Sequence, residues 1–334
     1  MDKNKTILSA SFEVKRELPK NIVDKDLFLF DHEIKRNFSE SYVLNEKNCF
    51  VFGQNILSIR KLSIFVKETF FLNPKAKKIF KDTLKNILPL RKFKSIDNGY
   101  WITDDKSTVY FHWFCDALQK ITLIEGYENK VLLIPERFTE KQFVIDTLKL
   151  LNINYQVLKK NTLYKIKNIE IYAETAPTGN YNPTVLKDLR KLFLKKTKAE
   201  TKPNIYKKLW ILRDNDIREI ENSEVIYPIL ESYGFEFIYF EKLTMNEKIK
   251  ILNETLYLGG IWGSGLTNML FLNEKTNLIE IRNKNDKHNN AFFSMASALN
   301  LNYFYYSTDF YGDKKSLNID REGFESFLES IQNH

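Results

Sequence analysis

The stretch from residue 255 to residue 281 constrains the fold more than any other part of the chain. It reads TLYLGGIWGSGLTNMLFLNEKTNLIEI, which predicts a strand at 256–258, a glycine-rich turn, a short helix and a second strand at 278–281. Glycine between a strand and a helix lets the backbone turn sharply and approach a ligand closely. The N–H groups and the positive dipole at the start of such a helix suit a phosphate. The alternative is a tight turn that only packs.

Strands and helices alternate regularly from residue 207 onward, and the connections between them are short. This pattern is typical of a parallel, doubly wound sheet. The chain has 334 residues, which is more than one hydrophobic core usually supports. A lysine-rich stretch around Pro203 is typical of an inter-domain linker. We therefore predict two domains, residues 1–200 and residues 201–334, and the last helix can pack back on the first domain.

Composition argues against a membrane-spanning, an exported or a disulfide-rich protein, and the charge indicates the kind of partner. No apolar run approaches the roughly 18 residues that a membrane-spanning helix needs, and residues 1–20 contain no apolar core of signal-peptide length. Cys49 and Cys115 form neither a disulfide framework nor a metal-ligand spacing, so we expect a reducing, cytoplasmic location. The net charge of +8 favours an anionic partner.

Residues 60–95 combine lysine with aromatic and aliphatic residues. Pro74 can start a helix in which apolar residues recur at helical spacing as far as Leu88. The simplest interpretation is a packed helix with a solvated lysine face. The alternative is contact with an anionic surface: a phosphate-bearing acceptor, the inner face of a membrane, or nucleic acid. Nucleic acid is the weaker version, because no recognised binding motif accompanies the charge.

A second candidate site lies in the aromatic segment 110–118, YFHWFCDAL. His112 and Asp116 are four residues apart, so on a helix they project from one face. One can act as a general base that the other orients, or both can bind a metal. No third metal ligand stands out, and a His among aromatic residues is more often part of a core. The loop 173–180 follows a predicted strand, which is where ligands bind in α/β proteins.

Three blocks, taken in order, resemble the family 61 glycosyltransferases. The first is Tyr110-Phe111-His112-Trp113-Phe114 with Asp116, which is similar to the family's aromatic-His-Trp block. The second is Arg213, then Arg218 and Asn222, followed by Gly-Phe-Glu at 234–236. The third is GSGLTNMLF at 263–271 with Ile-Glu-Ile at 279–281, similar to the family's Gly-Ala-Gly-Leu-Thr-Asn-x-x-Phe and its later Ile-Glu. The resemblance covers about residues 98–310.

The resemblance implies an α/β fold of the GT-B type, in which two Rossmann-like domains face each other across a cleft. It also implies inverting transfer of a sugar from a nucleotide-sugar donor, with UDP as the expected nucleotide. The implied acceptor is a glycan or a lipid-linked glycan in surface polysaccharide synthesis, such as that of capsule or lipopolysaccharide. No metal motif of the Asp-x-Asp kind is evident, although Asp214-Asn215-Asp216 has that spacing. We therefore expect no metal cofactor, and a helix N-terminus with an arginine in its place.

The resemblance and the chemistry together define the candidate residues. The backbone amides of Ser264, Gly265 and Leu266 would bind the diphosphate, together with the guanidinium of Arg213 or Arg218. Glu280, near a strand end, would bind the ribose hydroxyls. His112 would be the base that removes the acceptor proton, and Asp116 would orient it. The rival is Asp116 as the base itself. The complete donor set is Arg213, Arg218, Trp262, Gly263, Ser264, Gly265, Leu266, Asn268 and Glu280.

Two departures from the family keep other functions open. Trp262 stands where the family usually has His, and Lys248 stands where relatives often carry Gln. A catalytically altered homologue that only binds a nucleotide sugar or a glycan is therefore the first alternative. A basic nucleic-acid-binding protein is the second, although we expect no nucleic acid as a partner. Peripheral contact with the inner membrane face is a further partner that the sequence leaves open.

Overall fold

The computed structural model describes residues 4–71, 74–89, 92–199, 203–213, 218–310 and 316–332. The strands are β1 (Lys5–Ser9), β2 (Phe12–Lys15), β3 (Lys35–Phe38), β4 (Ser41–Phe52), β5 (Asn55–Ser58), β6 (Ser63–Ile64), β7 (Lys94–Trp101), β8 (Leu132–Pro135), β9 (Tyr155–Leu158), β10 (Tyr164–Tyr172), β11 (Lys207–Ile211), β12 (Phe235–Ile238), β13 (Thr255–Ile261), β14 (Asn277–Asn283) and β15 (Asn302–Thr308).

The α-helices are α1 (Val66–Thr69), α2 (Ala76–Ile87), α3 (Tyr110–His112), α4 (Gln142–Leu150), α5 (Pro183–Thr197), α6 (Ser223–Ser232), α7 (Met245–Asn253), α8 (Ala291–Ala298) and α9 (Arg321–Ile331). Shorter helical segments join them: a π-helical turn at Trp113–Ala117, and 3-10 helices at Asp24–Leu29, Asp31–Glu33, Leu118–Leu123, Tyr127–Asn129, Glu136–Phe138, Phe240–Lys242 and Ser264–Phe271. Among the residues that the structure describes, no helix combines the length and the apolarity that crossing a bilayer requires.

The chain divides into two compact units. The first unit contains residues 1–12 and 37–196, and the second contains residues 13–36 and 197–334. Residues 13–36 therefore belong to the second unit, although their position in the chain suggested the first. The reason is packing: the ring of Phe30 lies among aromatic rings of the second unit and is fully buried there.

The sheet of the first unit has the strand order β6-β5-β4-β10-β7-β8-β9, and β1 pairs with β4. The strands β10, β7, β8 and β9 pair with one another in parallel. The strands β1, β4, β5 and β6 pair in an antiparallel way, and β4 is also antiparallel to β10. β8 and β9 follow β7 on one side, and β10 lies on its other side. The direction of winding therefore reverses between β7 and β10, and ligands of α/β sheets bind where it reverses.

The sheet of the second unit has the strand order β12-β11-β13-β14-β15, and every pair in it is parallel. This confirms the parallel, doubly wound sheet predicted from residue 207 onward. β12 lies on one side of β11 and β13 on the other, so the winding reverses between β11 and β13. The face that carries Trp210 and Ile279 packs against α6 and α9. The last helix, α9, thus contributes to the core of the second unit.

A threonine followed three residues later by Glu or Gln predicts a capped helix start, and the sequence has this pattern at Thr139 with Gln142 and at Thr244 with Glu247. The structure has the cap at one of these sites and not at the other. Thr244 and Glu247 form the expected capping box at the start of α7. The box predicted from Thr139 and Gln142 is wrong, because α4 begins after Lys141 without a side-chain cap. The lysine-rich stretch taken as a linker begins inside α5, and its residues 200–202 lie outside the described ranges.

Candidate active site

His112 and Asp116 lie on the segment that follows β7, and the local helix geometry brings their side chains together. α3 continues directly into the π-helical turn, and single π-helical turns occur frequently at functional sites. Nδ1 of His112 lies 2.6 Å from Oδ2 of Asp116, and both side chains are largely buried. The same-face arrangement expected from their spacing is therefore present.

Buried aromatic residues fix the turn that carries this pair. Nε1 of Trp113 donates a hydrogen bond to Oγ1 of Thr147 at 2.8 Å. The ring of Phe114 packs against that of Tyr110 with 4.7 Å between centroids. Because Trp113 and Phe114 are buried, the backbone of the turn is anchored in the core. This anchoring leaves the two polar side chains of the turn at its less buried side.

A second loop holds the Asp116 carboxylate. Oγ1 of Thr178, in the loop after β10, donates to Oδ2 of Asp116 at 3.1 Å. β10 is the parallel neighbour of β7, so the loops that follow these strands meet at one edge of the sheet. The sequence pattern indicated the 173–180 loop as a place of ligand contact, but it gave no sign of the bond between Thr178 and Asp116.

The hydrogen bond to Asp116 orients the ring of His112. The pKa of Asp116 is raised, because burial, together with the charge of Asp104, outweighs the hydrogen bond and charge of His112 and the hydrogen bond from Thr178. When Asp116 is ionised it only accepts hydrogen bonds, so Nδ1 of His112 donates to it and Nε2 is the ring nitrogen left for a substrate. Within the described ranges no group hydrogen-bonds Nε2. This is the arrangement that a general base requires.

Charged residues near Asp116 were missed in the sequence. Lys120 is buried and donates from Nζ to a backbone carbonyl of the loop after β7 at 2.9 Å. Burial lowers the pKa of Lys120, and the carboxylates of Asp104 and Asp116 oppose that shift. Asp104 closes its own loop by accepting the N–H of Ser107 at 2.8 Å. The polar run at 103–107, directly after a strand, is the signal that could have identified Asp104.

The glycine-rich stretch lies at the carboxyl end of β13, where the chain turns into the 264–271 helix. Gly263 stands between the two elements. A Cβ atom at this position would lie 2.6 Å from Nη1 of Arg218 and 2.9 Å from Nη1 of Arg213. Only glycine therefore lets both guanidinium groups lie against the backbone here. Two positive groups and the start of a helix meet at this point, and together they suit an anion.

Strand order explains why these residues meet. Arg213 follows β11, and Gly263 follows β13. The two strands are neighbours in the sheet, and the winding reverses between them. Because parallel strands end at the same edge, their following residues converge at the point where α/β sheets bind ligands. The glycine-rich stretch was readable in the sequence, whereas the strand order that places Arg213 beside it was not.

Trp262 supports one of the two arginines. The guanidinium carbon of Arg218 lies 4.4 Å from the centroid of the Trp262 ring, which is a cation–π contact. Nη1 of Arg218 also donates to the backbone oxygen of Trp262 at 3.2 Å. The N–H of Trp262 donates to the oxygen of Ile281 at 2.8 Å, so the tryptophan backbone is fixed on β14. The residue that departs from the family pattern thus holds Arg218 in place.

The start of the 264–271 helix reduces the number of available amide donors. The N–H of Leu266 donates to the oxygen of Gly263 at 3.0 Å, so it is engaged within the helix. The N–H groups of Ser264 and Gly265 precede that bond and are the ones left for a ligand. Nδ2 of Asn268 donates to the oxygen of Gly265 at 2.8 Å, and Asn268 is buried. Its side chain therefore stabilises the turn from within.

Glu280 differs from its prediction in position and exposure. It lies in the middle of β14 rather than at a strand end, and it is fully buried. Oε2 accepts a hydrogen bond from the Tyr303 hydroxyl at 2.7 Å, and Oε1 has no partner among the described residues. Burial raises the pKa of Glu280 to about 7, against the nearby charge of Arg282 and the Tyr303 hydrogen bond. A ribose hydroxyl would have to reach this buried Oε1.

Within the described ranges, no group of three or more His, Cys, Asp or Glu residues is arranged to hold a metal ion. The Asp214-Asn215-Asp216 run lies outside those ranges.

Comparison with known proteins assigns the chain to a family. A family model described as Glycosyltransferase 61 matches residues 110–279, which is about half of the chain and includes both candidate sites apart from Glu280. Comparison with curated proteins finds no match. Since the match spans half of the sequence, in agreement with the three blocks of residues, the chain belongs to glycosyltransferase family 61.

Proposed function

We propose that the protein is an inverting, metal-independent glycosyltransferase that takes its sugar from a nucleotide donor, with UDP as the expected nucleotide. Family membership supports a glycosyltransferase in general. One observation carries the more specific proposal: Arg213 and Arg218 both lie against Gly263 at the start of the 264–271 helix. Two guanidinium groups and a helix N-terminus can stabilise a nucleoside diphosphate leaving group without a metal ion.

In the proposed reaction, Nε2 of His112 takes the proton from an acceptor hydroxyl. The acceptor oxygen bonds to the anomeric carbon of the donor as the bond from that carbon to the β-phosphate oxygen breaks on the opposite face. The electron pair of the broken bond leaves with the diphosphate, and the anomeric configuration inverts. Asp116 stabilises the imidazolium that forms, and Thr178 keeps the Asp116 carboxylate in position.

The remaining parts of the proposal rest on the family resemblance. We propose a GT-B enzyme in which the first unit binds the acceptor and the second binds the donor. The acceptor would be a glycan or a lipid-linked glycan in surface polysaccharide synthesis, and the reaction would take place in the cytoplasm. The acceptor role of the first unit agrees in chemistry with a base at His112, because an acceptor hydroxyl must lose its proton.

Trp262 motivates the alternative function of a non-catalytic binder. In this alternative the arginines still bind a nucleotide sugar, but no transfer follows. The contact of Trp262 with Arg218 is compatible with both functions, because it positions a donor ligand whether or not the donor reacts. Consumption of the donor separates the two. A transferase consumes nucleotide sugar, whereas a binder leaves it intact.

A thermal-shift screen tests the donor site directly. We expect UDP, or another nucleoside diphosphate, to raise the melting temperature equally with and without EDTA. A ligand at about 100 times its Kd adds about 2.7 kcal/mol to the free energy of unfolding. The double change Arg213→Gln with Arg218→Gln should abolish this shift, and Arg321→Gln on α9 is the matched control. The proposal fails if no nucleoside diphosphate stabilises the unmodified protein, or if only EDTA-sensitive stabilisation is found.

A further inference from the structure

The first unit carries an exposed apolar surface that the proposed reaction does not use. Four large apolar side chains protrude from it: Leu62 is 74% exposed, Leu88 is 77% exposed, Phe93 is 50% exposed and Ile59 is 42% exposed. Scattered apolar residues are ordinary on protein surfaces, but a cluster of them marks an interaction site. We call these four residues the Leu62/Leu88 patch.

Contacts of the neighbouring elements bring two parts of the patch together. The turn 59–62 joins β5 to β6. A hydrogen bond of 2.8 Å links the far end of β5 to Thr83 of α2, and one helical turn later Ile87 packs in the same buried cluster as Leu57 of β5. α2 therefore runs along β5 toward the turn, and Leu88 follows Ile87 at that end.

Phe93 joins the same surface through its ring. Its ring contacts that of Phe50 at 5.9 Å between centroids, and Phe50 pairs with Leu57 across the β4–β5 hairpin. Nζ of Lys165 lies 5.8 Å from the centroid of the Phe93 ring. The patch thus adjoins the buried cluster that contains Leu57 and Ile87, and Lys165 lies against its Phe93 ring.

The backbone of Leu62 adds a second observation. Leu62 has φ of +48°, a left-handed conformation that costs a leucine about 1–2 kcal/mol and suits asparagine or glycine better. A side chain that is three-quarters exposed recovers little of this cost by packing. A leucine at this position does not stabilise the turn. Its presence is better explained by a contact with a partner outside the chain.

The charge around the patch is positive. The exposed face of α2 carries Lys77, Lys78, Lys81 and Lys85 against Asp82 alone. Arg60 and Lys92 are exposed and lie beside the apolar residues in sequence. A basic surface with protruding aliphatic and aromatic tips matches the interfacial region of a bilayer with anionic headgroups. Nucleic acid fits less well, because leucine side chains do not stack on bases.

We propose that the Leu62/Leu88 patch docks the protein on a membrane surface rich in anionic lipid. Leu62, Leu88 and Phe93 insert among the headgroups, and the lysines of α2 face the lipid phosphates. The four apolar side chains and the lysines of α2 are each a small binding surface, so membrane binding needs both the apolar and the electrostatic contribution. The proposal does not depend on the transfer reaction, since a binder with the same surface would dock in the same way.

Sedimentation with vesicles tests the proposal on the full chain. We expect binding to vesicles of phosphatidylcholine containing about a quarter phosphatidylglycerol, and at least tenfold weaker binding to pure phosphatidylcholine. The double change Leu62→Asn with Leu88→Gln should weaken binding by about tenfold or more. Its matched control is Ile7→Ser with Phe28→Ser, at residues that are 47% and 48% exposed elsewhere on the chain. Changing Lys81 and Lys85 to Gln should weaken binding about fivefold per residue.

A stability measurement keeps the result from being ascribed to unfolding. Leu62→Asn removes the apolar tip but suits the left-handed backbone, so it should raise the melting temperature while it lowers vesicle binding. Equal binding of the leucine variant and the unmodified protein would overturn the proposal. Equal binding to neutral and anionic vesicles would also overturn it. So would tighter binding to single-stranded or duplex nucleic acid than to the vesicles, if the Leu62 and Leu88 changes do not weaken that binding.

Discussion

Single side chains carry the proposed chemistry, and His112 is the first of them. We expect His112→Ala and Asp116→Ala each to lower turnover by about 10²–10⁴-fold, because the acceptor proton loses its base or the base loses its orientation. Nucleoside diphosphate binding should remain, since the arginine site lies on other strands. The release of nucleoside diphosphate from a nucleotide sugar measures turnover. His288→Ala, at an exposed histidine, is the control, and near-normal turnover in both site variants would remove the assignment.

Trp262 is the second residue whose role can be measured. Trp262→Ala removes the ring against Arg218, and a cation–π contact contributes about 0.5–2 kcal/mol. We expect the Kd for UDP to rise by about 2- to 30-fold, while Trp262→Phe retains most of the affinity. Tyr239→Ala is the matched control, because Lys242 lies 3.9 Å from the Tyr239 ring in the same unit. Unchanged UDP affinity in Trp262→Ala would show that Arg218 holds its position without the ring.

Glu280 gives a prediction about pH. Burial raises its pKa from 4.5 to about 7, so between these values the folded protein keeps a proton that the unfolded chain has released. The contribution of Glu280 to the free energy of unfolding therefore falls as the pH rises from about 4.5 to about 7, by about 3 kcal/mol in total.

Glu280→Gln cannot ionise, so it removes this pH dependence. Relative to the unmodified protein, the variant should gain about 3 kcal/mol in free energy of unfolding between pH 4.5 and pH 8, measured by urea denaturation. The exposed Glu322→Gln should show no such gain. A difference that does not change with pH would mean that Glu280 titrates alike in the folded and unfolded states.

At the scale of elements, two helix starts with the same sequence signal behave differently. Thr244 accepts the N–H of Glu247 and caps α7, whereas Oγ1 of Thr139 donates to the oxygen of Glu136 and caps no helix. Thr244→Ala should lower the free energy of unfolding by about 1 kcal/mol, and Thr139→Ala by less than about 0.5 kcal/mol. Urea denaturation measures both. Equal losses would mean that the hydroxyl of Thr139 stabilises its segment as much as a cap does.

Elements whose signal is local could be predicted, and those that depend on pairing could not. The spacing of His112 and Asp116 was enough to place both on one face, and the glycines at 259–265 marked the turn after β13. The π-helical turn that carries Asp116 could not be predicted, because the aromatic pattern at 110–118 does not distinguish it from an ordinary helical turn. The hydrogen bond from Thr178 to Asp116 forms because β10 lies beside β7. The strand order depends on the packing of the whole sheet, so a local sequence pattern does not predict it.

At the scale of the whole molecule, both units use their sheets in the same way. In the first unit, Asp116 follows β7 and Thr178 follows β10, the strands between which the winding reverses. In the second unit, Arg213 follows β11 and Gly263 follows β13, again the two strands at the reversal. Each candidate site therefore lies where a doubly wound sheet leaves a gap between its crossover connections. The same rule of topology supports both sites, although their residues share no motif.

The assignment of residues 13–36 to the second unit gives the last prediction. Phe30 packs against Phe293 and Tyr305, with 5.0 Å between ring centroids in each case, and Arg282 lies 4.6 Å from the centroid of the Phe30 ring. Phe30→Ala should therefore destabilise the second unit by about 3–5 kcal/mol. Amide hydrogen exchange should become faster in β14 and β15 and stay unchanged in β7 and β10. Phe193→Ala, a buried residue of the first unit, should give the opposite pattern, and faster exchange in β7 after Phe30→Ala would contradict the assignment.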